Sequence, residues 1–289
     1  FAGLLGQNLG WRWGFALPGA LAILSAVLVL QAKVPNAKPS GATRPTDRIF
    51  AGLRIFTGTA SLRGVIAVNF AVAAAGSIVV VNTVNYVRDR LSGSESDVAW
   101  MMAASGGGTL AVALAVPRLL DRVTARAVML TGAGLLTAAA TAAVAMAAVD
   151  RPSWAVTAAI WVASGAGSAL AITPTGKVLR SAVAPANVAA VFAAQFSLSH
   201  LAWLIAYPIA GWGATRFGLV PAWGVLALIA AAGAIAAPLL WRRGALPAGT
   251  QLPAPVEGGD AVPSDQAWRH AAAADGTLTE CQCTCTQAA

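Results

Sequence analysis

Charged residues are scarce in this 289-residue chain and are absent from its long apolar stretches. Asp, Glu, Lys and Arg make up 10% of the residues, whereas soluble proteins carry about 25%. Seven stretches contain none of the four: Gly14–Ala32, Gly64–Val87, Val98–Val116, Ala127–Val149, Trp154–Gly176, Val188–Gly213 and Leu219–Trp241. A helix needs about 20 apolar residues to cross a bilayer core. The lack of charge excludes a soluble domain and predicts an all-α polytopic membrane protein with about seven transmembrane helices.

Catalytic groups are lacking as well. No Asp or Glu lies in the seven stretches, and no carboxylate pair, His/Glu zinc motif or nucleophile beside a base occurs. We therefore expect neither an enzyme nor a cofactor. The three cysteines, Cys281, Cys283 and Cys285, are confined to the C-terminus. Thiolates bind soft metal ions, but structural zinc sites use four ligands, typically spaced by about two to four residues. The cysteines are therefore only a weak metal-site candidate.

Positive charge alternates from loop to loop. Of the 19 Lys and Arg residues, 14 lie in the tail and in the loops that follow the first, third, fifth and seventh stretches, and 5 lie elsewhere. Because positively charged loops stay in the cytoplasm, we expect a multi-pass protein of the cell membrane with a cytoplasmic C-terminus. The positive charge then reports topology, and nucleic acid is not an expected partner.

Composition divides the chain into four parts. Residues 1–32 are expected to hold the end of an earlier helix and one complete span, since the chain starts in apolar sequence at Phe1. Residues 33–63 are predicted to form a cytoplasmic linker that ends in an amphipathic surface segment, Ile49–Leu62. Residues 64–243 hold six spans joined by short loops. Residues 244–289, rich in Ala, Pro and Gly, are predicted to be a disordered cytoplasmic tail.

Small residues and prolines recur within the spans. Glycine clusters occur at residues 106–108, 132–134 and 165–167, and small residues let membrane helices approach closely. Pro174 and Pro208 predict kinks near span ends, which serve either as hinges or simply as packing features.

Two segments resemble the major facilitator superfamily of transporters. Gly10-Trp11-Arg12-Trp13-Gly14-Phe15 is similar to the connection into that family's sixth helix. The segment Leu120–Arg126 resembles the family's cytoplasmic Asp-Arg signature, although Pro117 replaces the leading glycine. The resemblance implies six helices, a cytoplasmic linker and six more, so the visible spans correspond to helices 6–12 of an N-terminally truncated bundle. It also makes three residues candidates for a latch between cytoplasmic helix ends: Asp121, Arg122 and Arg126. Anchoring of a solvated loop is the alternative.

A second resemblance concerns one span. The segment Ala194–Trp212 is similar to the eleventh helix of nickel-resistance efflux carriers, which implies a metal cation as one class of cargo. Members of that branch often end in a His-rich tail, whereas the tail of this chain holds only His270. A shift of reading frame across the cysteine-rich end is one explanation that the sequence leaves open.

Polar side chains inside a bilayer are costly and therefore candidate functional residues. The sixth of the seven stretches, Val188–Gly213, provides Gln195, Ser199 and Trp203 on one helical face and His200 and Tyr207 on an adjacent one. We expect these side chains to line the substrate and proton pathway. A second wall is expected from three residues of one span: Asn69, Asn82 and Asn85. Hydrogen bonding between helices is the alternative explanation for both sets.

These observations predict a secondary active transporter, with proton-coupled efflux of a small solute by alternating access. The expected partners are the lipid bilayer, a small-molecule or ion substrate and protons, and the expected oligomeric state is a monomer. Two alternatives stay open: an exporter of nickel-like or cobalt-like cations, and a receptor or scaffold that transports nothing.

Overall fold

The computed structural model describes residues 11–31 and 45–241, and within them it shows helices and short connections but no strand. In chain order the helices are α1 (Trp11–Gln31), α2 (Pro45–Gly58), α3 (Ala60–Asn85), α4 (Glu95–Leu120), α5 (Ala125–Val149), α6 (Trp154–Ile172), α7 (Thr175–Ala182), α8 (Val188–Pro208), α9 (Ala214–Phe217) and α10 (Leu219–Leu240). The expected earlier helix at the N-terminus, linker residues 33–44, and the tail with its three cysteines lie outside the described residues.

Six helical segments of the described chain are long and apolar enough to cross a membrane: Ala60–Arg90, Glu95–Leu120, Ala125–Val149, Trp154–Ala182, Val188–Phe217 and Leu219–Leu240. Each contains all or nearly all of one predicted span. The first predicted span is helical too, within α1, and its most apolar part is the shorter segment Pro18–Gln31. The all-α membrane architecture predicted from the sequence is therefore confirmed.

Helix α3 is the centre of the bundle. The apolar window of this span is 78% buried, and α3 packs against α5, α6, α8 and α10. Small side chains allow this close approach, because Gly233 of α10 lies directly against the backbone of α3. A Cβ atom placed on Gly233 would lie 2.5 Å from the carbonyl oxygen of Ala67. The centre of the bundle is therefore held by backbone contacts that larger residues would block.

The predicted glycine packing is selective. In the pair α4 and α6, a Cβ atom on Gly108 would overlap the carbonyl of Val162, and one on Gly165 would overlap the carbonyl of Ser105. By contrast, Gly106 and Gly107 have open space beside them. Only those glycines that face a neighbouring helix are thus needed for its close approach.

The ends of several spans depart from a regular α-helix. Pro174 separates α6 from α7, as the predicted kink requires. Two π-helical turns extend α3 and α8, at Tyr86–Arg90 and Ile209–Gly213, and the second directly follows Pro208.

The two ends of the bundle are named after residues that lie there. The Asn82 end is the one where α3, α5 and α8 terminate, and the Arg126 end is the opposite one.

The predicted amphipathic segment in the linker is a separate helix, α2. Its Phe56 is buried, and Gly52 contacts the carbonyl oxygen of Ala190 on α8. Phe50 is 67% exposed, and Arg54 also faces outward. The helix ends at Gly58 rather than at Leu62, and residues from Ala60 onward already belong to α3. The segment therefore packs on the bundle with one face and leaves the other free.

Candidate functional site

The polar residues of α8 occupy two faces with different surroundings. Gln195, Ser199 and Trp203 are half-buried and lie on one side, towards α3. His200 and Tyr207 are exposed on the adjacent side. The sequence placed these residues on two neighbouring faces, and the structure separates a face that packs on α3 from one that does not.

An amide pair joins α8 to α3. The Nδ2 group of Asn69 donates to Oε1 of Gln195, and the Nε2 group of Gln195 donates to Oδ1 of Asn69, both at 3.2 Å. Each amide thereby satisfies one donor and one acceptor across the helix contact. This geometry matches the alternative expected for these residues, a hydrogen bond between helices.

Trp203 lies over a gap in α3 that a glycine creates. A Cβ atom on Gly76 would lie 2.5 Å from Cη2 of Trp203, so only glycine leaves room for the indole. The rings of Trp203 and Tyr207 are 5.0 Å apart between centroids and tilted by 45°. The aromatic pair thus links the packed face of α8 to its exposed face.

His200 lies about half-way along the span that α8 begins. Twelve residues separate it from Val188, which corresponds to about 18 Å along a helix. Its Nδ1 atom is 2.8 Å from the carbonyl oxygen of Phe196, and the two rings stack at 4.0 Å between centroids. Because a carbonyl can only accept, this bond assigns the proton to Nδ1 and leaves Nε2 as an acceptor. In this tautomer the imidazole has one donor nitrogen, Nδ1, and one acceptor nitrogen, Nε2.

Asn82 is not part of an open wall. It is 1% exposed, and its Nδ2 group donates to the carbonyl oxygen of Ala210, 2.8 Å away in the second π-helical turn. Its Oδ1 atom accepts a hydrogen bond from the indole nitrogen of Trp223 on α10. One amide thus connects α3, the end of α8 and α10.

Four residues beside Asn82 were not singled out in the sequence. The indole nitrogen of Trp161 on α6 donates to Thr83 Oγ1 at 2.6 Å. The rings of Trp161 and Trp223 both lie beside Tyr86, at 6.2 and 5.5 Å between centroids. A tryptophan inside a membrane span needs a hydrogen-bond acceptor for its indole N–H, and this requirement was the sequence signal that could have singled out Trp161 and Trp223. The requirement does not identify which residue accepts the hydrogen bond.

The predicted wall of three asparagines is therefore divided. Asn69 pairs with Gln195, Asn82 is buried in the cluster at the end of the bundle, and Asn85 is exposed one turn farther along α3. At 3.6 residues per turn, side chains three positions apart differ in direction by about 60°, and here that offset separates a buried asparagine from an exposed one.

At the opposite end, one of the three latch candidates joins two helices. The guanidinium of Arg126 on α5 donates to the carbonyl oxygens of Trp241 and Pro238, at 3.1 and 3.4 Å. Pro238 lies in the last turn of α10 and Trp241 directly follows the helix, where backbone acceptors have no partner within the helix. Arg126 therefore fastens the start of α5 to the end of α10.

The other two latch candidates have different positions. Asp121 caps the C-terminus of α4 rather than an N-terminus, and it forms no ion pair with any described residue. The N-cap of α5 is Thr124, whose side chain accepts from the amide of Ala127. Arg122 is exposed. Within the described residues, the Asp-Arg segment holds helices together through Arg126.

Metal-binding residues do not gather in the part of the chain that the structure describes. No group of three His, Cys, Asp or Glu side chains is close enough there to hold an ion. The cysteines and His270 lie outside that part, so the weak prediction of a metal site in the tail stays a prediction.

Comparison with known proteins identifies the bundle. Residues 64–275 match the family model of the Major Facilitator Superfamily, and this range includes five of the six membrane-spanning segments and all but the first four residues of Ala60–Arg90. No curated protein matches the chain. The match covers well over half of the sequence and agrees with the six apolar helices and with the motif between α4 and α5. The chain therefore belongs to the major facilitator superfamily, whose members are secondary transporters.

Proposed function

We propose that this protein exports a small solute in exchange for protons by alternating access, and that solute and proton move along the exposed face of α8. The observation that carries the proposal is the position of His200, which is exposed at mid-depth on a helix that spans the membrane. Binding near the midplane, between rocking helical halves, is the general arrangement of secondary transporters.

The energetics of the bilayer support a polar environment for this face. An ionised side chain at the bilayer centre costs about 2.5–3.5 kcal/mol or more, so such residues generally face a cavity or another helix. His200 and Tyr207 share their exposed side of α8 with Phe196 and Leu204. A protonated imidazole in contact with acyl chains would be strongly disfavoured. A water-accessible pathway along this face removes that cost.

The chemistry of His200 suits proton exchange. Imidazole is the side chain that ordinarily changes its charge between about pH 5 and 8. Its Nδ1–H group is held by the carbonyl of Phe196, which leaves Nε2 free for a proton or for a polar group of the solute. Binding of the two would then compete at one nitrogen, which couples their movements.

The positive charge of the loops at the Arg126 end supports an orientation with that end in the cytoplasm. The outward direction of transport rests on the resemblance to efflux carriers. A metal cation is the alternative cargo, supported by the similarity of Ala194–Trp212 to nickel-resistance carriers. A protein that transports nothing is the second alternative.

The test uses everted membrane vesicles from cells that express the gene product at its natural length. After acidification of the lumen, lipophilic organic cations, Ni²⁺ and Co²⁺ are added in turn, and a pH-sensitive dye reports proton release. We expect release with one class of cargo, which also distinguishes the two candidate cargoes. A lack of proton movement with every cargo would favour the receptor or scaffold.

The role of His200 is tested by the pH profile of the same transport. We expect His200→Ala to abolish or shift the pH dependence, because the exchangeable proton is lost. Leu204→Ala is the matched control, since Leu204 is 67% exposed on the same face, one turn away. An unchanged pH profile in His200→Ala would remove this residue from proton coupling.

A further inference from the structure

A long apolar groove runs between α5 and α6, away from α8 and the proposed pathway. Its volume is about 660 Å³, within the roughly 300–1,000 Å³ range of ligand pockets. Half of its twelve lining residues are alanines, and the others are larger apolar residues and one arginine. The lining includes Ala138, Ala142, Ala145, Ala159 and Ala163. Because alanine side chains are short, the two helices leave a channel between them that opens towards the surroundings of the bundle.

The groove is longer than one bilayer leaflet is thick. Its lining extends along α5 from Leu135 to Val149, a distance of fourteen helical steps or about 21 Å. A leaflet contributes about half of the ~30 Å hydrocarbon core. The groove thus starts at the Asn82 end of the bundle and continues at least to the middle of the membrane.

A cation marks the end of the groove that faces the membrane surface. Arg151 belongs to the lining, is exposed, and forms no ion pair with any described residue. The neighbouring Asp150 pairs instead with Arg90, so its negative charge is compensated. The lining is therefore apolar inside the membrane and positive at its surface.

Local backbone geometry places this arginine. Asp150 ends α5 with a left-handed conformation, φ 51°, which Asp tolerates better than most residues. Pro152 follows Arg151 and disfavours a helical conformation for it. The chain therefore turns sharply between the two helices, with Arg151 at the mouth of the groove that they form.

We propose that this groove binds one acyl chain of an anionic phospholipid, whose phosphate pairs with Arg151. The apolar depth and the single surface cation match the two parts of such a lipid. By the positive-inside assignment, the lipid belongs to the outer leaflet.

The experiment is native mass spectrometry of the full chain, released from membranes that contain equal amounts of phosphatidylglycerol and phosphatidylcholine. We expect the chain to retain phosphatidylglycerol preferentially. Arg151→Gln should lower that retention by about five-fold, as one basic residue near an anionic surface implies. Arg216→Gln is the control, since it removes an exposed arginine at the same end but outside the groove.

A second variant tests the apolar part. Ala142→Phe should fill the groove and displace the lipid, whereas Ala232→Phe, at an exposed position on α10, should not. Unchanged retention in Arg151→Gln, or equal retention of the two lipids, would overturn the proposal. A dimer that Ala142→Phe disrupts would assign the groove to a second copy of the chain instead. Arg151→Gln leaves the contact between α5 and α6 intact, so it still tests the lipid proposal if Ala142→Phe fails to fold.

Discussion

Replacement of Asn82 by leucine tests how the Asn82 end of the bundle is held together. Leucine has a similar volume but no polar atoms, so the change removes both hydrogen bonds of the amide. The carbonyl of Ala210 and the indole N–H of Trp223 then lose their partner while the surrounding apolar packing persists. Since the three groups lie on α3, the end of α8 and α10, the loss weakens contacts among all three.

The expected cost follows from the two bonds. In soluble proteins a buried group left without its partner costs about 1–3 kcal/mol. Between membrane helices the measured mean is smaller, about 0.6 kcal/mol and at most about 1.7, because polar groups also find partners when helices separate in the membrane. Two bonds at a fully buried residue therefore give a loss of about 1–3 kcal/mol in the free energy of unfolding.

The assay is reversible unfolding of the chain in mixed micelles by titration with sodium dodecyl sulfate, followed by circular dichroism. Asn85→Leu is the matched control, because Asn85 is exposed on the same helix, and its replacement should change stability by less than about 0.5 kcal/mol. A double-mutant cycle with Trp223→Phe should give a coupling of at least about 0.5 kcal/mol. Equal losses for Asn82→Leu and Asn85→Leu, or zero coupling, would refute this reasoning.

Two further predictions concern helix contacts. Gly165→Leu should destabilise the protein by about 1–3 kcal/mol, because its side chain must displace the backbone of α4. Gly106→Leu is the control and should be nearly neutral, since Gly106 has open space beside it. The same unfolding titration compares the two variants, and equal effects would contradict the selective packing of glycines. Arg126→Gln should lower the free energy of unfolding by about 1–2 kcal/mol through the lost hydrogen bonds to the end of α10, whereas Arg122→Gln should lower it by less than about 0.5 kcal/mol. Limited proteolysis after Trp241 provides an independent measurement. Equal cleavage rates in the two variants would exclude the proposed role of Arg126 in fastening α5 to α10.

The membrane spans could be predicted closely from the sequence. The span predicted as Ala127–Val149 is observed as Ala125–Val149, and the one predicted as Leu219–Trp241 is observed as Leu219–Leu240. This accuracy has a physical origin, because a bilayer requires a minimum length of apolar helix whatever its neighbours are. The capped ends of α4 and α5 add a few residues that hydropathy alone does not include.

The partners of polar residues could not be predicted in the same way. The face of α8 with Gln195 was evident from helical spacing, but its bond to Asn69 joins positions 126 residues apart. Asn82 and Asn85 look equivalent in the sequence, yet one is buried and the other exposed. Such differences depend on how the helices are rotated and packed, which local pattern does not determine. The π-helical turn that presents the Ala210 carbonyl likewise has no clear sequence signal besides Pro208.

The central functional claim is that the exposed face of α8 lines a water-accessible pathway, and cysteine labelling tests it most directly. The apolar spans contain no native cysteine, so the three tail cysteines are replaced by serine and one new cysteine is introduced at His200. Leu228→Cys on α10 is the matched control. Leu228 is 71% exposed, and both residues lie twelve positions, or about 18 Å, from the Arg126 end of their helices.

The measurement is the rate at which a charged, membrane-impermeant thiosulfonate modifies each cysteine in intact membranes. The pathway predicts rapid modification of His200→Cys, slowed by the transported solute, and negligible modification of Leu228→Cys. If both cysteines are equally unreactive, the exposed face of α8 contacts lipid or protein, and the proposed pathway is contradicted.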